Sequence, residues 1–163
     1  MAAEKAAPPE LDAADRQLLD LVQNNSRMAA ERLADAVKLS VSAVQRRLQT
    51  LRRNGVIVGE VAVVDPKRVG RPLTMLVELQ IERERPELLG ALRRWLSEEE
   101  AVQQAWYVTG EADFVLVVTA ASMEGFDALM GRLLAENRNV RKFKTGVALQ
   151  VTKRSLFVPV GPE

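Results

Sequence analysis

The chain has 163 residues, 47% of them apolar, enough for one large or two small packed domains. It has no cysteine and no histidine, which excludes disulfides, thiolate metal sites and the commonest general base and zinc ligand. No run approaches the ~20 apolar residues of a membrane helix, and the net charge is only +1, a balance that points to a cytoplasmic protein without metal or cofactor.

Residues 1–10 are rich in Ala and Pro and lack the apolar core of a secretion signal, so a disordered tail is expected. Leu11-Asp12-Ala13-Ala14-Asp15 reads as a helix start with Asp12 as N-cap and acidic charge at the positive helix end. Leu18, Leu19, Leu21 and Val22 supply a buried face as far as the turn at Asn24-Asn25-Ser26. A short second helix is expected over 29–37, with Leu33, Ala34 and Val37 inward. Lys38-Leu39 then leads into the most informative stretch of the chain.

Ser40 stands where an N-cap belongs, and Val41, Val44, Leu48 and Leu51 recur at helical spacing. Asn54-Gly55 ends that helix. Its other face carries Ser42, Gln45, Arg46, Gln49, Arg52 and Arg53, and Lys38 to Ile57 holds five cations and no acid. A solvated helix ordinarily mixes both signs; this one suits a row of phosphates. Helix, helix, tight turn and basic helix spell a helix-turn-helix, whose second helix enters the major groove by its N-terminal half. The valine-rich segment 56–64 is expected to add a small β-wing. Ser42, Gln45, Arg46 and Gln49 are spaced to read base edges, Gln suiting adenine and Arg suiting guanine. Ser40 can meet a phosphate as readily as cap. Arg47, at the edge of the apolar stripe, fits a phosphate contact or an internal ion pair equally well. Arg52 and Arg53 lie further along, toward backbone or solvent.

Charge is unevenly spread. Residues 11–60 carry eight Lys or Arg against six acids, 61–72 three against one, and 73–158 eleven against twelve. One module is thus suited to phosphate and the other to something else. Few cations in a single copy imply a dimer with two half-sites.

The expected domains are 11–60, a linker over 61–72 and a second domain over 73–158, with a short tail at 159–163. Two prolines and a glycine in Asp65–Pro72 forbid a continuous element in the linker. Leu73, Met75, Val77, Leu79 and Ile81 alternate as a strand. Pro86 opens a helix carrying Leu88, Leu92, Trp95 and Leu96. Val102–Thr109 and Phe114–Ala120 form a hairpin about Gly110-Glu111-Ala112-Asp113. Ser122 caps a helix bearing Phe126, Leu129, Met130, Leu133 and Leu134. A last strand over 140–152 puts Phe143, Thr145, Val147, Leu149 and Val151 on one face. The order β-α-β-β-α-β is the ferredoxin-like split, making the fold class α+β. Val115 and Val117, with Tyr107, are expected on the sheet face away from Phe114 and Leu116, a surface that wants a partner sheet from a second copy. Trp95, Trp106 and Met130 read as core or interface.

The chain resembles the Lrp/AsnC (leucine-responsive and asparagine-responsive, feast/famine) transcription regulators of bacteria and archaea. The resemblance covers 11 to about 157. It rests on Leu11-Asp12, Asp15 and Leu18-Leu19; on Leu39-Ser40, Val44, Arg47-Leu48, Leu51 and Gly55-Val56-Ile57; and on Val108-Thr109-Gly110 with Asp113-Phe114. It implies a winged helix-turn-helix that binds double-stranded DNA, joined to an ACT-like domain for oligomerisation and effector binding. It also implies homodimers that assemble further into octamers, amino acids or related metabolites bound between dimers, and no catalytic activity. Lys38, Ser40, Ser42, Gln45, Arg46, Arg47, Gln49 and Arg52 then become the DNA-binding set. Gly110 would open backbone amides to a ligand carboxylate and Asp113 would take its ammonium group, with Thr109 and Glu111 in the same loop and Thr145 approaching from a neighbouring subunit. Gly and Asp are also ordinary turn residues, and the loop needs no ligand to be explained.

The chain departs from the family in two places. Lys38 stands where the family commonly has Gly, at a cost of ~1 kcal/mol if that residue is left-handed. Ala112 replaces an aromatic, which reshapes the effector pocket. Two rival readings share the architecture. Sirohaem decarboxylases resemble the family in both domains, but their resemblance implies a histidine that this chain lacks. An oligomerisation module without DNA binding would have no use for the uncompensated cations of residues 38–53.

Overall fold

The computed structural model describes residues 10–161, so the tail expected over 1–10 lies, but for Glu10, outside the described residues. The chain forms two compact units. One runs to Ala62 and takes in the chain again from Lys153; the other is Val63–Thr152.

The first unit is three helices: α1 (Ala13–Asn24), α2 (Ala30–Val37) and α3 (Val41–Arg53). α1 begins at a capping box in which Asp12 accepts from the Asp15 amide at 2.8 Å and Asp15 reaches back to the Asp12 amide. α2 ends with Lys38 left-handed, at φ 56°, and with the Leu39 amide bonded to the Ala34 carbonyl at 3.1 Å. That is a Schellman stop with lysine at the position glycine favours. α3 starts on the Ser40 hydroxyl, which accepts from the Ala43 amide, and ends in a second Schellman stop at Gly55, φ 70°. Leu18, Leu19, Leu33, Ala34, Val44, Leu48 and Leu51 form the core of this unit. The apolar stripe of α3 is therefore spent on packing, and its polar residues face outward.

The wing does not form: residues 56–64 make no strand. Val58, Val61 and Val63 are 93%, 73% and 76% exposed. A wing needs a second strand within hydrogen-bonding reach, and valine content alone cannot provide one.

The second unit is β1 (Leu73–Ile81), α4 (Pro86–Glu98), β2 (Val102–Tyr107), β3 (Phe114–Ala120), α5 (Met123–Glu136) and β4 (Val140–Val147), preceded by a 3-10 turn at Pro66–Val69. The antiparallel sheet runs β2-β3-β1-β4. Met75, Val77 and Leu79 on β1 and Phe114, Leu116 and Val118 on β3 pack with Leu92 and Leu96 of α4 and Phe126, Leu129, Met130 and Leu133 of α5. Thr74, Leu76, Glu78 and Gln80 alternate onto the uncovered face, beside Val115 and Val117.

Two details differ from expectation. Tyr107 pairs with Phe114, ring centroids 5.0 Å apart, and so belongs to the helix-covered side; Trp106, opposite Val115, is the aromatic on the open face. β2 is shorter than expected, and because side chains alternate between faces along a strand, a register misjudged by one residue becomes a change of face. β4 stops at Val147, and Leu149 and Val151 are exposed, 96% and 58%. Beyond Ala148, whose amide bonds the Thr74 carbonyl, the described chain makes no further ladder with β1.

Candidate nucleic-acid interface and effector loop

Of the proposed DNA-binding set, all but Arg47 lie on the exposed side of α3 or at its start. Lys38, Ser40, Ser42, Gln45, Arg46, Gln49, Arg52 and Arg53 are all exposed, and the Ser40 and Ser42 hydroxyls are 3.1 Å apart. The left-handed turn at Lys38 sets the α2–α3 corner and leaves its ammonium group in solvent beside the N-terminal end of α3. That end draws anions.

Two of the expected cations are spent within the unit. Arg47 Nη1 donates to Asp12 Oδ2 at 2.7 Å and to Asp15 Oδ1 at 2.8 Å. Of the two roles open to it, the structure selects the internal ion pair, tying α3 to the start of α1. The bonds act in both directions: backbone donation from Asp15 and then the guanidinium hold the Asp12 carboxyl below its ordinary range, and the two carboxylates raise Arg47. Arg52 donates to Glu60 through Nε at 3.1 Å and Nη2 at 2.6 Å. Sequence spacing could not reveal either pairing, because the acids lie 35, 32 and 8 residues from their partners. Lys38, Arg46 and Arg53 remain as exposed cations without a salt bridge among the described residues, beside the exposed neutral side chains of Ser42, Gln45 and Gln49. Arg53, which the sequence left at the margin, thereby gains weight.

The β2–β3 loop leans onto the open sheet face. Gly110 has φ 121°, a region natural to glycine. Gln80 Nε2 donates to the Glu111 carbonyl at 2.9 Å, and the Glu111 carboxylate pairs with Lys144 of β4. Lys144 lowers Glu111, and Glu111 raises Lys144. Asp113 is partly committed: its Oδ2 accepts from the Ile81 amide at 2.7 Å, so this carboxylate closes the loop on β1.

Thr109 and Glu111 are exposed in the loop. Thr145 is not brought to it within one chain. It stands opposite Val77 and so shares the helix-side face, whereas Lys144 opposite Glu78 shares the loop's face. Gln80 and Lys144 are the residues missed from the sequence. The alternation of Lys142 and Lys144 around Phe143 was a usable signal, but not which strand would lie beside it.

Comparison with known proteins gives matching results for both units. Residues 11–58 match a winged helix-turn-helix DNA-binding model, and residues 74–156 match the Lrp/AsnC ligand binding domain. An HTH-type transcriptional regulator of Sinorhizobium fredii is 44% identical over 93% of this chain and 89% of its own. The crystal structure of an AsnC family transcriptional regulator from Agrobacterium tumefaciens superposes with a TM-score of 0.85 at 28% identity, covering 91% of this chain and 97% of that one. A Neisseria meningitidis transcriptional regulator solved as an L-Met complex shares the fold, with a TM-score of 0.85 at 24% identity over 92% and 97% of the two chains.

Proposed function

Because this chain belongs to the Lrp/AsnC family of DNA-binding transcription regulators, we propose that it binds a two-fold operator as a dimer through α3 and answers to an amino acid held near the β2–β3 loop. The observation that carries the DNA half is the exposed, acid-free face of α3. Its apolar stripe is buried and its remaining cations stand with three neutral hydrogen-bonding side chains. In this reading Gln45, Arg46 and Gln49 read base edges, Ser42 assists, and Lys38, Ser40 and Arg53 hold phosphates. Paired α3 helices enter successive major grooves about 34–36 Å apart.

The effector half rests on the loop chemistry. Gly110 and the neighbouring Lys144 suit a carboxylate, and Glu111 and the free oxygen of Asp113 suit an ammonium group, the two ends of an amino acid. Thr109 borders the loop, and Thr145 joins the site from a neighbouring dimer. The uncovered sheet face, with Leu76 and Trp106 about half exposed, is the surface for the dimer partner, and further assembly to an octamer follows from the same family pattern. A ligand that binds one assembly more tightly than another shifts the spacing of the DNA-binding units.

The test is an anisotropy titration against the duplex upstream of the protein's own gene and a scrambled duplex, each at two salt concentrations. Tighter binding to the native duplex, weakening with salt, is expected. Equal, feeble binding to both at low salt would overturn the DNA half.

A further inference from the structure

The chain passes between the two units twice, at Ala62–Val63 and again at Thr152–Lys153. Each DNA-binding unit is thus tied to its sheet by two covalent connections. The returning segment is also caught by α1.

Gln23 Nε2 donates to the Val158 carbonyl at 3.0 Å, and Gln23 Oε1 accepts from the Val158 amide at 2.8 Å. The carboxamide satisfies both backbone groups of one residue, as a neighbouring strand would. Arg16 Nη1 donates to the Val160 carbonyl at 2.8 Å, and the Val160 side chain packs against the helical core. Arg16 and Gln23 are seven residues apart, two helical turns, and share one face of α1. That face is a receptor for an extended peptide, and the peptide is the chain's own C-terminal segment. Traced backward, the segment continues from β4, the strand whose Lys144 pairs with Glu111 of the candidate effector loop.

We infer that Lys153–Val160 is a strap, an integral part of the DNA-binding unit through which a change at β4 reaches α1. The ligand end of this inference rests on the effector reading above; the docking of the strap on α1 does not. A ligand carboxylate that draws Lys144 from Glu111 alters β4, and the strap passes the change to α1, to which Arg47 fastens α3 through the Asp12–Asp15 box. Such a route counts as coupling only if breaking it removes the response.

Two measurements on the full chain decide it. Amide hydrogen exchange is read in the wild type and in Gln23→Ala, an exposed substitution that leaves the core intact. The Val158 amide should exchange on the order of tenfold more slowly than an open chain in the wild type and lose that protection in the variant. An unprotected Val158 amide, or one equally protected in both proteins, overturns the strap.

Duplex affinity is then read with and without L-methionine, after calorimetry has shown that Arg16→Ala/Gln23→Ala binds L-methionine like the wild type. A wild-type response of about fivefold or more should collapse in the double variant. An unchanged response overturns the coupling. Should calorimetry find no binding of L-methionine or of any other of the twenty amino acids, the effector reading falls with its share of the coupling, and hydrogen exchange still decides the docking.

Discussion

Arg47 shows how one side chain's role turns on distance. Its place in the sequence allowed a phosphate contact, yet its guanidinium lies within 2.8 Å of two carboxylates, and its side chain is only 32% exposed. Arg47→Ala should therefore cost about 1 kcal/mol in the stability of the helical unit, the scale of a partly exposed charged pair. It should leave the salt slope of DNA binding nearly unchanged, whereas Arg46→Ala should weaken discrimination at one base position by about 1–3 kcal/mol. Thermal melts and salt-dependent titrations of both variants check this, and a flattened slope in Arg47→Ala would restore the phosphate role.

Asp12 belongs to the same cluster and carries a pH dependence. Its carboxyl is held below the ordinary 3.8 by the Asp15 amide and then Arg47. A group depressed in the folded state adds stability above its unfolded value and loses it as pH falls through the folded one. The wild type should lose stability as pH drops below about 4, and Asp12→Asn should be less stable at neutral pH with a shallower fall in acid. Denaturant titrations at pH 7, 4 and 3 would show it; parallel curves would count against the assignment.

At the scale of elements, the termini of the helices carry as much information as their faces. Ser40, Asn54-Gly55 and the Asp12 start were readable because caps and stops are local chemistry, satisfied within a few residues. Lys38 is the departure. It is the one non-glycine residue with positive φ among the described residues, and it sits at the α2–α3 corner that orients the recognition helix. Keeping a side chain there costs roughly 1 kcal/mol, a cost that the proposed phosphate contact of its ammonium group would offset. Lys38→Gly should thus raise the stability of the helical unit by up to about 1 kcal/mol while weakening DNA binding and lowering the salt slope by about one. A variant both more stable and equally tight on DNA would show that Lys38 makes no such contact. The missing wing and the shortened β4 are the opposite case. Residues 56–64 and 149–152 both read as extended from the sequence, and neither stretch found a neighbouring strand among the described residues.

The whole molecule presents an uncovered sheet face and extended, valine-rich connections, and both call for a second copy. Leu76 and Trp106, 51% and 47% exposed, are the large apolar side chains that such a copy would cover. Leu76→Asp should shift the protein toward monomer in sedimentation and, by removing one of two half-site contacts, lower operator affinity by on the order of a hundredfold or more. Unchanged sedimentation would move the interface elsewhere.

The helices and the β-α-β-β-α-β order were legible in the sequence by itself, because periodicity, caps and turn residues act over a few positions and each carries its own physical cause. The absence of the wing and the end of β4 were not. The sequence singled out α3 as the candidate DNA-facing helix, since an acid-free basic face opposite a buried stripe is a property of one segment. The tertiary structure alone decided what each charged group meets. Arg47 on Asp12 and Asp15, Arg52 on Glu60, Lys144 on Glu111 and Gln23 on Val158 join residues between 8 and 135 positions apart. It also decided that Thr145 and Tyr107 lie on the helix-covered side of the sheet, and that the C-terminal segment returns to α1. Partners of that kind are set by strand register and chain path. A shift of one residue reverses a strand's faces, and no local pattern records how far the chain travels before it comes back.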